Sequence, residues 1–98
     1  TPEYLAFVEA GRWEVIPGAE ADDDLRARMV AALDEIVGAH PGGRIVVVAH
    51  GGSINAWLAH RFGAHRSMLV SIDNTSLTRL RSDGTHWLVA GVNDVTHL

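Results

Sequence analysis

Ile45-Val46-Val47-Val48-Ala49-His50-Gly51-Gly52-Ser53 carries four β-branched residues straight into a histidine, two glycines and a helix-like start. The run Ile45 to Val48 has no polar alternation, which predicts a strand buried on both faces, as in a parallel sheet covered by helices. His50 then stands at the carboxyl edge of that sheet, where open α/β folds place their ligand crevices. Gly51 and Gly52 permit a tight turn and close backbone approach. The helix that follows aims unpaired N–H groups at the same spot. An imidazole that can carry a proton, beside a helix N-terminus, suits a phosphoryl group.

Around this stretch the chain reads as helix, strand, helix and then β-rich segments. Thr1 to Val15 is mixed, with Tyr4, Leu5, Phe7 and Val8 forming a short helical stripe that Gly11 ends. Pro17-Gly18 is turn punctuation. Asp22 to Ala39 predicts one helix, its apolar face made by Leu25, Met29, Leu33, Ile36 and Val37 and packed on the sheet. The acidic residues Glu20 to Asp24 complement the positive end of its dipole. Adjacent Asp22, Asp23 and Asp24 point around the helix, so they read as capping and solubility rather than as metal ligands. His40-Pro41-Gly42-Gly43 stops that helix. Ser53 to Phe62 reads as a second helix burying Ile54, Trp57 and Leu58, with Gly63 as its C-cap. Met68 to Ile72 and Ser76 to Leu80 read as strands. Ser82-Asp83-Gly84 is a hairpin turn, and Trp87 to Val92 is the antiparallel return.

Composition narrows the function. The chain has 98 residues, enough for one modest α/β core. It is 47% hydrophobic with a formal net charge of −4, and its eight basic residues form no stripe, which argues against a nucleic-acid surface. The chain has no cysteine, so disulfides and Cys-ligated zinc are excluded. Its apolar runs are too short to span a bilayer, and no secretion signal is seen at its start, so the expected location is cytoplasmic. The first residue is Thr1, and the site at His50 lacks a second half, which together lead us to expect a fragment.

Several chemistries fail on inspection. The His50 stretch lacks the lysine of a P-loop, the spaced glycines of a dinucleotide fingerprint and the Gly-x-Ser-x-Gly of a nucleophile elbow. Ser53 reads as a helix-start residue, since no partner base is identifiable. His40, His60, His65, His86 and His97 have no metal-ligand spacing, so no metal site is expected. Trp13, Trp57 and Trp87 read as packing residues.

With those alternatives set aside, Val47-Val48-Ala49-His50-Gly51-Gly52 and the helix after it resemble the second histidine motif of the histidine phosphatase superfamily, the phosphoglycerate mutase-like family. Asp73-Asn74-Thr75-Ser76-Leu77-Thr78 resembles that family's asparagine-containing strand. Trp87 through Asn93-Asp94-Val95-Thr96-His97-Leu98 resembles its closing strand and Asn-Asp-x-x-His-Leu ending. Pro17-Gly18-Ala19-Glu20, with Arg28, resembles its Gly-Gly-Glu-Ser helix entry, Ala21 standing where serine is usual. The pieces occur in family order along most of the chain.

The resemblance implies a three-layer α/β sheet with flanking helices, incomplete in this chain, with residues 1–98 forming the carboxyl-terminal part of a single domain. The family's Arg-His-Gly motif, with its phospho-accepting histidine, does not occur here. His50 carries over as the catalytic phosphate ligand, the Gly51 backbone N–H as substrate-binding, and Asn74 as a neighbour of the site. The implied reaction is phosphomonoester hydrolysis through a phosphohistidine, with no metal or organic cofactor required. Phosphatase is preferred over mutase because no tail follows the Asn-Asp-x-x-His-Leu ending. A mutase-type transfer, or an inactive phosphate-binding or interaction module, are the alternatives. The expected partners are a small phosphorylated substrate and the missing amino-terminal half or a second copy of the protein. Alone, the chain is expected to turn nothing over.

Overall fold

The computed structural model describes Leu5 and residues 9–98 of the protein. Of the expected amino-terminal stripe, Tyr4, Phe7 and Val8 lie outside the described residues, and Leu5 is exposed. Gly11, at φ +67°, ends the helical residues Glu9 and Ala10, and a short 3-10 turn spans Trp13–Val15.

Helix α1 spans Asp22–Ala39, the expected bounds. It stops where local chemistry demands: His40 leaves helical geometry, and Gly42 takes φ +72° in the turn that follows. Leu25 is buried, while Met29, Leu33, Ile36 and Val37 are half-buried, so the apolar face was correctly placed. That face packs on the next helix rather than on the sheet, a correction to the expected layering.

Helix α2 spans Gly51–Phe62, beginning two residues earlier than expected. It is the centre of the core. Asn55, Ala56, Trp57, Leu58 and Ala59 are buried in succession, so every face of its middle turn is covered. Gly63 ends it in the left-handed conformation (φ 66°, ψ 28°), and Ala64 N–H reaches back to Ala59 O at 2.9 Å. Only a residue that tolerates positive φ closes a helix this way.

The sheet among the described residues is a two-stranded antiparallel hairpin, β1 (Leu77–Ser82) with β2 (Trp87–Asp94). Asp83 organises its turn by accepting the Thr85 and His86 N–H groups at 2.9 and 2.7 Å, and Gly84 takes φ +95°. These bonds hold the Asp83 carboxyl far below its usual range, the backbone donors being the chief cause. Half-buried positions alternate with exposed ones along β1 and over Trp87 to Ala90 of β2, after which Gly91 to Asp94 are all half-buried. The inward Trp87 meets Trp57 edge-on, ring centroids 5.0 Å apart. The Arg61 guanidinium lies about equally close to both rings, at 5.1 and 5.3 Å. The hairpin is thereby attached to α2.

Two expected strands do not form. Met68 to Ile72 is irregular, because its backbone bonds to a side chain instead of a neighbouring strand. Ile45 to Val48 has no ladder partner among the described residues and is not buried on both faces. Its exposures alternate at 40, 90, 47 and 94%, the period of an extended ribbon with one face half-covered and the other open. The strand-forming pattern is present, and no described strand lies alongside to complete it.

A polar network joins the amino-terminal residues to the end of α2. Asp22 is wholly enclosed: Oδ1 accepts Trp13 N–H at 2.7 Å, and Oδ2 lies 3.9 Å from both Arg12 Nη1 and Arg26 Nη2. The arginines in turn donate to His65 O, at 2.6 and 2.7 Å, and Arg26 also donates to Ala64 O. Asp22 is therefore a structural centre, beyond the capping and solubility expected of it. Glu14 completes the frame by accepting from Arg12 Nε at 2.7 Å and from Asp22 N–H at 3.1 Å.

Those two bonds, the Arg12 one first, pull the Glu14 carboxyl down from 4.5 to about 2. A lowered folded-state value places the stabilisation above pH 4.5 and removes it as pH falls from 4.5 towards 2. Glu14→Gln should therefore flatten the acid limb of the stability curve in that window, as read by urea midpoints at successive pH values. An unchanged limb would show that the pair contributes nothing.

Candidate functional site

Gly51 and Gly52 occupy the first turn of α2, and neither takes a positive φ. Space is what requires them. A Cβ on Gly51 would meet Ile72 Cβ at 3.3 Å, and one on Gly52 would meet Trp13 Cζ2 at 3.0 Å. The helix start is thus wedged between the Trp13 ring and the backbone that leads into Asp73-Asn74-Thr75. The sequence reading of a tight turn was wrong in geometry, but close approach was correct.

His50 precedes this turn in extended geometry (φ −92°, ψ 160°), and its side chain is not used to cap the helix. It is exposed. The first helical N–H to return to the chain is that of Ile54, on His50 O at 3.0 Å. The N–H groups of Gly51, Gly52 and Ser53 therefore lie ahead of the helical ladder, at the positive end of the dipole. An exposed imidazole next to these donors can hold an anion. Ser53 sits within the turn as a helix-start residue, as expected.

Asn55 is the residue that sequence reasoning missed. It is fully buried, and its amide makes four hydrogen bonds. Nδ2 donates to Gly51 O at 3.0 Å and to Val70 O at 2.9 Å. Oδ1 accepts from Leu69 and Val70 N–H, both at 2.9 Å. One side chain thus fastens the segment leading to Ile72 against the helix start. The available signal was a polar residue within an otherwise apolar helical stretch, between Ile54 and Ala56.

Asn74 is exposed, two residues beyond Ile72. The structure thus brings the Gly51 end of α2 and the Asn74 loop to the same edge, through the contact between Gly51 and Ile72. Two shallow grooves flank Trp87 and Leu88, and neither is lined by His50, Gly51 or Asn74. Among the described residues, no group of three or more His, Asp or Glu could hold a metal ion. No helix among them is long and apolar enough to cross a membrane.

The sequence profile of the histidine phosphatase superfamily (branch 1) matches residues 1–95. The chain belongs to this superfamily. Phosphoglycerate mutase-like protein 4 of Arabidopsis thaliana is 39% identical over 99% of the chain, which covers 43% of that relative. The metal-independent phosphoserine phosphatase of the same plant is 31% identical over 97% of the chain, covering 40% of that protein. The probable phosphoglycerate mutase GpmB of Photorhabdus laumondii is 32% identical over 85% of the chain, covering 42% of it. The chain therefore spans about two-fifths of the length of these relatives. No solved structure matches it significantly. In a histidine phosphatase, the two helices and hairpin described above are a partial fold.

Two expectations follow. Asn55→Ala should cost about 2–3 kcal/mol in denaturant unfolding, because a fully buried side chain that ties Leu69 and Val70 to the helix start is removed with its hydrogen bonds. A loss under about 0.5 kcal/mol would show that water replaces the amide. Gly52→Val should destabilise by about 1–3 kcal/mol despite the better helix propensity of valine, since the new side chain meets Trp13. Trp13→Leu should recover part of that loss in the double variant, and strict additivity would show that the two residues do not share the space.

Proposed function

We propose that this chain is the carboxyl-terminal half of a histidine phosphatase domain of three-layer architecture, and that the complete enzyme hydrolyses a phosphomonoester through a phosphohistidine. The observation that carries the reading is His50, exposed and uncommitted, at the N-terminus of a helix that opens with Gly51 and Gly52, where an added Cβ would crowd Ile72 and Trp13. Membership of the superfamily and the order of its motifs along the chain support it.

The division of labour follows from phosphoryl-transfer chemistry. Such a reaction needs an in-line nucleophile, a proton for the leaving oxygen, and positive charge around the equatorial oxygens. His50, when protonated, and the Gly51 N–H supply part of that charge. The nucleophilic histidine and the acid belong to the amino-terminal part of the enzyme. In the first step a bond forms from that histidine nitrogen to phosphorus as the ester oxygen leaves with a proton. In the second, water takes the phosphoryl group and frees the nitrogen. The chemistry calls for no metal. The uncovered ribbon at Ile45 to Val48 is the surface on which the amino-terminal part adds its strands. Relatives named as mutase-like or probable mutases match most of the chain in sequence, and in a mutase a substrate hydroxyl replaces water in the second step.

In the full-length enzyme, His50→Ala should lower kcat on a phosphomonoester by about 10²–10³, the loss for one preorganised donor. The melting temperature should stay near the parent's, since the side chain is exposed. Unchanged turnover with a large drop in melting temperature would sink the catalytic role. Vanadate should also move the His50 ring resonances in an NMR spectrum of the full-length enzyme, and unmoved resonances would count against anion binding there.

A further inference from the structure

The Asn74 loop is held from its far side by the last residues of the chain. Asp73 and Asn93 form a reciprocal pair: Asn93 Oδ1 accepts Asp73 N–H at 2.8 Å, and Asn93 Nδ2 donates to Asp73 Oδ2 at 3.0 Å. On the other side of Asn74, His97 Nε2 lies 2.8 Å from Thr75 O, so the ring donates through that nitrogen. Asn74 thus sits between two residues that are each tied to the closing segment.

The ties are needed because the loop is strained. Thr75 adopts φ +65°, a conformation that a β-branched residue rarely takes, and Asn93 adopts φ +53°. Positions of this kind persist only where surrounding contacts over-determine them. Thr75 has two such contacts, its carbonyl on His97 and its hydroxyl on Asn74 O. Asp94 in turn fixes the segment that bears His97. It accepts from Thr96 N–H and Oγ1 at 2.9 and 2.7 Å, and from Arg79 Nη1 at 2.6 Å. Gly91 leaves the room for Arg79 to cross the strand, since a Cβ there would meet Arg79 Nη2 at 2.6 Å.

We propose that Asn93 and His97 are positioning residues that clamp the Asp73-Thr75 loop and so hold Asn74 towards the phosphate bound at His50. The clamp rests on the phosphatase reading above. It complements Asn55, which fixes the segment entering the loop as Asn93 and His97 fix the loop itself. It also gives a physical reason for the order Asn-Asp-x-x-His: the first residue holds one flank, the second folds the turn, and the last reaches the other flank.

The test is a double-variant cycle in the full-length enzyme, with inorganic phosphate as competitive inhibitor. His97→Phe keeps a ring and loses the donor, and should weaken phosphate about fivefold, equivalent to about 1 kcal/mol for one hydrogen bond. His97→Gln keeps an N–H donor and should stay within about twofold of the parent enzyme. Asn74→Ala should weaken phosphate comparably to His97→Phe, and the two together should be no worse than Asn74→Ala alone. Amide exchange at Ser76, whose N–H bonds to Asp73 O at 3.2 Å, should quicken in His97→Phe and not in His97→Gln.

Unchanged phosphate affinity in His97→Phe or in Asn74→Ala, equal losses in His97→Phe and His97→Gln, or multiplying effects in the double variant would each overturn the clamp. If it fails alone, His50→Ala still weakens phosphate. If the phosphatase reading fails beneath it, His50→Ala leaves phosphate affinity and turnover as insensitive as the clamp variants do.

Discussion

One buried amide organises this chain. Asn55 occupies the middle of a helix whose neighbours are alanine, tryptophan and leucine, where a polar group without partners is costly. It is tolerated because both of its polar atoms are engaged by backbone: Nδ2 donates to Gly51 O and Val70 O, and Oδ1 accepts from Leu69 and Val70 N–H. Leu69 and Val70 are thereby held with no described strand beside them. Removing both sets of partners at once is what makes such a network cooperative: each bond is available only while the others keep the segments aligned. The Gly51 end of α2, the Ile72 contact and the loop bearing Asn74 all depend on that alignment.

A second organising unit is ionic and lies at the opposite end of α2. Asp22 is enclosed between Arg12 and Arg26, whose guanidinium groups also donate to the carbonyls of Ala64 and His65 and to the side chains of Glu14, Asp23 and Ser67. A buried carboxylate of this kind is weak evidence for stability, since desolvation opposes the attraction. Its effect is geometric. It sets where the amino-terminal turn lies, and that turn carries Trp13 onto Gly52.

Much of the framework was legible in the sequence because its signals are local. Helix α1 is bracketed by an acidic start and by His40-Pro41-Gly42-Gly43, and the hairpin by Ser82-Asp83-Gly84. The positions of His50, Gly51 and Asn74 were legible through the order of family motifs. What escaped depends on distance along the chain. Periodicity at 68–72 does not reveal that an asparagine fourteen residues earlier supplies the bonds of a missing neighbour. A triple aspartate reads as surface until Arg12 and Arg26 are seen to converge on its first member. Ile45 to Val48 is apolar enough to be central, but composition states only what a segment suits. It does not locate the partner.

The hairpin and the open ribbon differ in what they require of the chain's timing. β1 and β2 meet across the short connection between Ser82 and Trp87, and a β-hairpin of this kind closes in about 1–10 μs. The ribbon has no sequence-adjacent strand among the described residues, so any strand paired to it would carry the loop-closure entropy of a distant contact, the slow, topology-limited part of folding. Val46 and Val48 face water beside backbone that no described strand pairs. Helices and hairpin rest on local contacts, and any strand added to the ribbon would be ordered against a scaffold they had already formed.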